Sequence, residues 1–403
     1  VSVSLGTRSA TQRLLPLVLV FLTSGIATAV VGPFLGMFLS TAVHANPFQV
    51  TAFLITASLS SVVMSWALGR LSDRRPMRRT LLIAATLAGF AGTGVTAMIR
   101  DYWVLLALTA TVTAVATSLY PQSFAYARQV LQRDDPARAA MGTSALRTVF
   151  SLAWVGGPAL AAFLLEVGDF RYVYGTAAVM YALAAFTVAR WLPEVEAPAA
   201  PRDGVKISAR VPPGMYPILV AFTLLQTTGV LGVQAMALFV STDLGGSVGD
   251  AGVVLGVCAA LEIPLLLWFG WLGTRFPLRR IIVAGAVCAV VYQLTAVTAA
   301  SVWQLGAGQL FNALFIAAIS GLGITYVQDR MPHFPGRATT MFTNTNAIGQ
   351  ILSAPLFGLA QNYGFRLAFA VNLVLAVVGL VLLLIARPAV RSSGLGSGSP
   401  PEG

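Results

Sequence analysis

Twelve apolar runs follow one another through the chain, with only short polar stretches between most of them. They cover approximately residues 14–40, 48–69, 80–99, 103–127, 139–166, 170–192, 214–242, 250–272, 280–300, 303–327, 337–363 and 366–386. About 20 apolar residues in a helix cross a bilayer core. Unpaired backbone groups are not tolerated there, so a chain of such runs is confined to membrane-spanning helices. A mean hydropathy of +0.80, with 57% hydrophobic and 10% charged side chains, excludes a soluble α/β enzyme. The net charge of +11 would suit nucleic acid only on the face of a soluble domain, whereas these arginines sit at the ends of apolar runs. The first run, Leu14 to Ser40, is too long for the apolar part of a signal peptide and is expected to be a retained span. Cys258 and Cys288 both fall inside apolar runs and read as small packing residues.

The cations fix a topology. Loops facing the cytoplasm accumulate Lys and Arg. The loops after runs 2, 4, 6, 8 and 10, together with both termini, hold 21 of the 25 cations, the opposite loops hold only Arg100, Arg171 and Arg366, and Arg147 lies inside run 5. Both termini are therefore expected on the cytoplasmic side, which requires an even number of spans.

The chain also repeats itself. GRLSDRRPMRR at 69–79 matches GWLGTRFPLRR at 270–280, so that Gly69, Leu71, Arg74, Pro76, Arg78 and Arg79 meet Gly270, Leu272, Arg275, Pro277, Arg279 and Arg280. Tyr126 and the group Pro136, Arg138, Ala139 reappear as Tyr326 and Pro335, Arg337, Ala338, and Phe170-Arg171 as Phe365-Arg366. Six spans separate the copies, so the halves share one orientation, as parallel repeats about an axis along the membrane normal do. The expected organisation is a six-helix bundle over 1–192, a Pro- and charge-rich cytoplasmic linker at 193–213, a second six-helix bundle over 214–387 and a disordered tail at 388–403.

Residues 69–79 resemble the loop 2–3 motif of the major facilitator superfamily, with Asp73 at its acidic position and Pro76 where glycine is usual. More narrowly, VHANP at 43–47, SFAYAR at 123–128, LRTVFSLAWVGGPALA at 146–161 and LEIP at 261–264 are similar to local sequences of the sugar efflux transporters of that superfamily, in the same order. The resemblance covers essentially the whole chain. It implies an all-α protein of twelve transmembrane helices in the bacterial inner membrane, exporting sugars or sugar analogues by alternating access in exchange for protons. It implies a gating role for the loop residues Asp73, Arg74 and Arg78. Of the glycine-rich span 5 motif found in many proton antiporters of the superfamily, only Gly157-Pro158 is present, with Ala161 and Ala162 in place of two glycines.

The chemistry should lie in the few polar groups inside the membrane, where ionisable residues mark functional sites by default. Two charges qualify, Arg147 in span 5 and Glu262 in span 8. Counted from Arg138 and Arg275 at about 1.5 Å per residue, they stand at similar depth. The superfamily fold sets spans 5 and 8 face to face, so the two charges could meet and serve proton coupling. Sugar recognition needs amides and flat apolar faces. The candidates are Gln122, Trp154, Gln226, Gln234, Gln309, Asn312, Asn344, Asn346 and Gln350, although such amides also join helices to one another. His44 and His333 lie in loops, so no metal site is expected, and no Walker or zinc signature is present, so no cofactor is. The expected partners are a sugar, protons and the lipid bilayer, not nucleic acid, and the expected functional unit is a monomer. A multidrug antiporter of the same superfamily is the alternative, with an aromatic and apolar cavity in place of an amide-rich one. A non-transporting membrane sensor is a further alternative. An intramembrane enzyme lacks the paired acids, or the nucleophile with its base, that it would need.

Overall fold

The computed structural model describes residues 10–74, 77–134, 139–194, 214–331 and 335–386. Most of the expected linker and the whole expected tail lie outside them. The described residues form helices and connecting turns without a strand. The first six long helices are α1 (Leu15–Ala42), α2 (Pro47–Arg74), α3 (Arg78–Met98), α4 (Tyr102–Leu131), α5 (Ala139–Val167) and α6 (Phe170–Trp191). The second six are α7 (Met215–Asp243), α8 (Val248–Arg275), α9 (Leu278–Val297), α10 (Val302–Gln328), α11 (Pro335–Tyr363) and α12 (Arg366–Ile385). Each coincides with one of the twelve apolar runs.

Eleven of these helices are long and apolar enough to cross a membrane. The remaining one, α11, is 29 residues long, but Asn344, Asn346, Gln350 and a run of threonines lower its apolarity. Local chemistry starts several helices. Asp101 accepts from the backbone of Val104 at the head of α4, and Ser247 with Asp250 forms a reciprocal capping box before α8.

The internal repeat is a repeat of packing. In the first half α1 packs on α5 and α6, and α3 on α6; in the second, α7 packs on α11 and α12, and α9 on α12. Even an irregularity is duplicated, since α1 and α7 both end in a widened π-helical turn, Phe38–Ala42 and Phe239–Asp243. Between the halves the principal contacts are α5 on α8 and α2 on α11, which are equivalent pairs under the repeat. Large apolar side chains such as Trp66, Phe163, Phe186 and Val374 are exposed on the outer surface. Surface of this kind is unfavourable in water and suited to lipid chains.

At the arginine-rich end of each half, one arginine from the first turn of the third helix ties down the end of the sixth. Arg79 Nη2 donates to Ala189 O at 2.6 Å, and Arg279 Nη2 donates to Leu383 O, Leu384 O and Ala386 O at 3.2, 2.9 and 3.3 Å. The last carbonyls of a helix have no partner within it, and the helix dipole favours a cation there.

Candidate functional site

Among the described residues, the two halves meet closely at one end. One continuous buried cluster joins residues of the first half to Leu231, Met236, Phe239, Leu255, Phe357 and Phe365 of the second, and it reaches the 1–2, 7–8 and 11–12 turns. There Gln361 Nε2 donates to Ala45 O at 3.3 Å and Thr51 Oγ1 to Ala354 O at 3.4 Å. The α5–α8 crossing depends on two glycines. A Cβ at Gly252 would stand 2.7 Å from Pro158 O, and one at Gly256 would stand 2.7 Å from Val155 O, so only hydrogen fits between these backbones. The i,i+4 glycine pair is a small-residue seam of the kind that lets membrane helices approach. At the arginine-rich end, the core around Met215, Phe222, Tyr326 and Phe342 contains, among the described residues, none of the first half.

Between the halves, inside the sealed end, lies a cavity of about 270 Å³. From α5 it receives Arg147, Phe150, Ser151 and Trp154, and from α8 Leu255, Cys258, Ala259 and Glu262. Each set runs i, i+3, i+4, i+7, which is one face of a helix. Tyr120 of α4, Val233 of α7, and Asn312 and Ile316 of α10 complete the wall. A second cavity of about 180 Å³ shares Arg147 and Ser151 and continues towards the arginine-rich end between Ile263, Leu266, Leu267 and Leu322.

The polar groups of the wall come from both halves. Arg147 and Ser151 stand on α5, with Glu262 and Asn312 on the other half. Arg147 and Glu262 line the cavity from opposite halves, and no ion pair is closed between them among the described residues. Beside them Tyr120 packs on Phe150 with ring centroids 4.6 Å apart, and on Phe124 at 4.8 Å. The site therefore has a cation and an acid facing one another, a hydroxyl and an amide, and an aromatic side formed by Tyr120, Phe150 and Trp154. It can grip a small molecule that has both hydrogen-bonding groups and flat apolar faces.

Of the residues expected from the sequence, Arg147, Trp154, Glu262 and Asn312 line this cavity together. Gln309 lies behind Asn312, fully buried. Gln226 is buried against Gly349 of α11, and Gln234 Oε1 accepts from Ser353 Oγ at 3.2 Å, so both stand at the α7–α11 contact. Gln350 Nε2 donates to Asn346 Oδ1 at 2.9 Å within α11, whereas Asn344 is exposed. Gln122 is buried in α4, with its Oε1 unpaired. Asp73 and Arg74 are the last residues of α2, with side chains outside the described ones, and Arg78 is buried in the first turn of α3. Sequence reasoning missed Tyr120, Phe150, Ser151 and Cys258. Three of them were within reach, because Phe150 and Ser151 stand at i+3 and i+4 from Arg147, and Cys258 at i−4 from Glu262.

The sequence profile of the Major Facilitator Superfamily matches residues 17–233 and 217–401. A putative sugar efflux transporter of Deinococcus radiodurans is 34% identical over 383 residues, covering 93% of this chain and 98% of that one. Sugar efflux transporter A of Dickeya chrysanthemi is 35% identical, covering 88% of this chain and 90% of that protein. Among solved structures, a peptide transporter POT in complex with sulfate shares 14% identity with a TM-score of 0.75, over 94% of this chain and 96% of its own. The nucleoside transporter NupG shares 16% with a TM-score of 0.69, over 92% and 97%. These structures share the fold.

Proposed function

We propose that this chain, which belongs to the sugar efflux transporter family of the Major Facilitator Superfamily, exports sugars or sugar analogues from the cytoplasm by alternating access, in exchange for protons. The fold is that of two parallel-repeat bundles of six transmembrane helices, and the relatives are transporters rather than enzymes. The observation that carries the reading is the cavity between the halves, sealed at one end and walled by Arg147, Glu262, Asn312 and an aromatic side. The arginine-rich end, with both termini and the linker between the bundles, is taken as cytoplasmic. The arrangement is then an inward-facing one, ready to load substrate from the cytoplasm.

In this cycle sugar enters beside Trp154 and Asn312, and the halves rock until the seam at Gly252 and Gly256 parts. Glu262 takes a proton from outside, sugar leaves, and the return stroke delivers the proton to the cytoplasm. The gap between Arg147 and Glu262 alters how firmly the carboxylate holds its proton, because an adjacent cation stabilises the ionised form. Asp73, Arg74 and Arg78 act as a gate at the cytoplasmic end. The unit is a monomer in a bacterial inner membrane.

A second reading, export of amphipathic drugs, is favoured by the three aromatic rings and the single amide on the cavity wall. Purified protein in liposomes, offered a panel of labelled sugars and a labelled lipophilic cation, tests both. Saturable sugar flux that the cation does not inhibit is expected. Cation flux without sugar flux would replace the first reading by the second.

A further inference from the structure

Asn312 is the amide of the cavity wall, and both of its N–H hydrogens are already committed. Its Nδ2 donates to Gln309 Oε1 at 2.9 Å and to Cys258 Sγ at 3.4 Å. Gln309 Nε2 in turn donates to the Tyr292 hydroxyl at 3.0 Å. Gln309 is 0% exposed and Tyr292 1%, so neither reaches the cavity. Asn312 Oδ1 has no partner among the described residues, yet it is not among the buried unpaired atoms, so it stands open. Towards the cavity the amide thus presents an acceptor and no donor. Glu262, one turn along α8 from Cys258, also accepts when ionised, whereas Arg147 on the opposite wall only donates.

We propose that Asn312 is a specificity-determining residue, oriented by the buried pair Gln309 and Tyr292 so that its Oδ1 selects a ligand group that donates a hydrogen bond. Gln309 is a positioning residue that acts through Asn312 and never touches the ligand. The geometry is independent of substrate; identifying the donor as a sugar hydroxyl rests on the sugar reading above. A hydroxyl both donates and accepts, and fluorine in its place keeps the size while removing the donor. Asn312 should therefore distinguish a sugar from one particular deoxyfluoro analogue. Leaving an accepting oxygen without its donor costs more than losing one bond in water once a bound ligand covers that oxygen and displaces its water.

The test has two arms, both on the purified full chain in a Cys288→Ala background, so that Cys258 is the reactive thiol. The first needs no sugar and measures the rate at which N-ethylmaleimide alkylates Cys258. Gln309→Met removes the acceptor that holds Asn312 against the thiol, takes away an N–H that stabilises the reactive thiolate, and should lower the rate several-fold. Tyr292→Phe, a milder change, should move it the same way. Gln309→Glu offers Asn312 an acceptor in either protonation state and should keep the parent rate. An unchanged rate in both Gln309→Met and Tyr292→Phe, or a Gln309→Glu protein that behaves like Gln309→Met, would overturn the positioning role whatever the ligand is.

The second arm measures equilibrium binding of the transported sugar and its monodeoxyfluoro analogues by calorimetry. One hydroxyl-to-fluorine exchange should weaken binding about tenfold in the parent and in Gln309→Glu. The same exchange should change binding by less than about twofold in Asn312→Ala and Gln309→Met, where no fixed acceptor remains. Discrimination that survives in Asn312→Ala would overturn the specificity role. A parent that binds no sugar, with the alkylation rates as expected, would sink the sugar reading and leave the positioning of Asn312 standing.

Discussion

Trp154 lines the cavity two turns along α5 from Arg147, and its indole is a flat apolar face beside a charged one. If sugar stacks there, Trp154→Ala should weaken sugar binding by about 1 kcal/mol, and Trp154→Phe should restore most of it. Calorimetry on the two variants decides the point, and parent-like affinity in Trp154→Ala would place the ring outside the contact. At this scale the sequence was legible where a residue type is rare. Arg147 and Glu262 are conspicuous because charge inside an apolar run is costly. Tyr120 and Phe150 were not, since aromatics are common throughout the chain and most pack or face lipid. The i,i+3 spacing of Gln309 and Asn312 correctly put both on one side of α10, but depth along that side is a tertiary property. One amide ended on the cavity wall and the other wholly behind it.

At the scale of elements, the three arginines expected at the poorly charged end do different work. Arg366 Nη1 donates to Val297 O at 2.6 Å and Ala299 O at 2.9 Å, just past the end of α9, and the guanidinium lies over Phe239 of α7. Arg100 Nη1 donates to Thr96 O at 2.7 Å at the equivalent end of α3 and lies over Phe38 of α1. The phenylalanines are repeat partners and the arginines are not. The partner of Arg366 is Arg171, which is mostly exposed and pairs with Asp169 at 3.7 Å. Each half has kept a cation at the end of its third helix while drawing it from a different place in the sequence. Arg366→Ala is expected to destabilise the protein by about 1.5–3 kcal/mol, through lost charged hydrogen bonds. Arg171→Ala should stay within about 0.5 kcal/mol. Thermal denaturation in detergent compares them, and equal shifts would refute the distinction. Alignment of the halves by sequence could not show this substitution of function, because it matched Arg171 with Arg366. The seam offers a second test at this scale. Gly256→Val should hold α5 away from α8, abolish transport, and expose a Trp154→Cys thiol to reagents added on the sealed side. Normal transport by Gly256→Val would mean the seam need not close.

For the whole molecule, fold was legible because the membrane imposes it: run length gives span number, and a repeat after six spans gives parallel halves, while alternating arginine supplies a proposed sidedness. What the runs could not show is which end of the interface is shut. That depends on contacts such as Gln361 to Ala45, between residues more than 300 positions apart. Sidedness can be tested with exposed positions at the two ends. In intact cells of a cysteine-free background, Tyr363→Cys should react with an impermeant thiol reagent and Thr274→Cys should not; the reverse pattern would invert the topology. The central claim is that sugar moves outward because a proton moves inward through Glu262. Its most direct test is sugar accumulation in proteoliposomes under an imposed pH gradient, for the parent and for Glu262→Gln, which keeps shape and hydrogen bonding but cannot titrate. The parent should concentrate sugar on the acidic side, whereas Glu262→Gln should exchange sugar for sugar at a comparable rate and accumulate none. Accumulation by Glu262→Gln equal to the parent's would contradict the account and leave Glu262 a residue of structure or sugar binding alone.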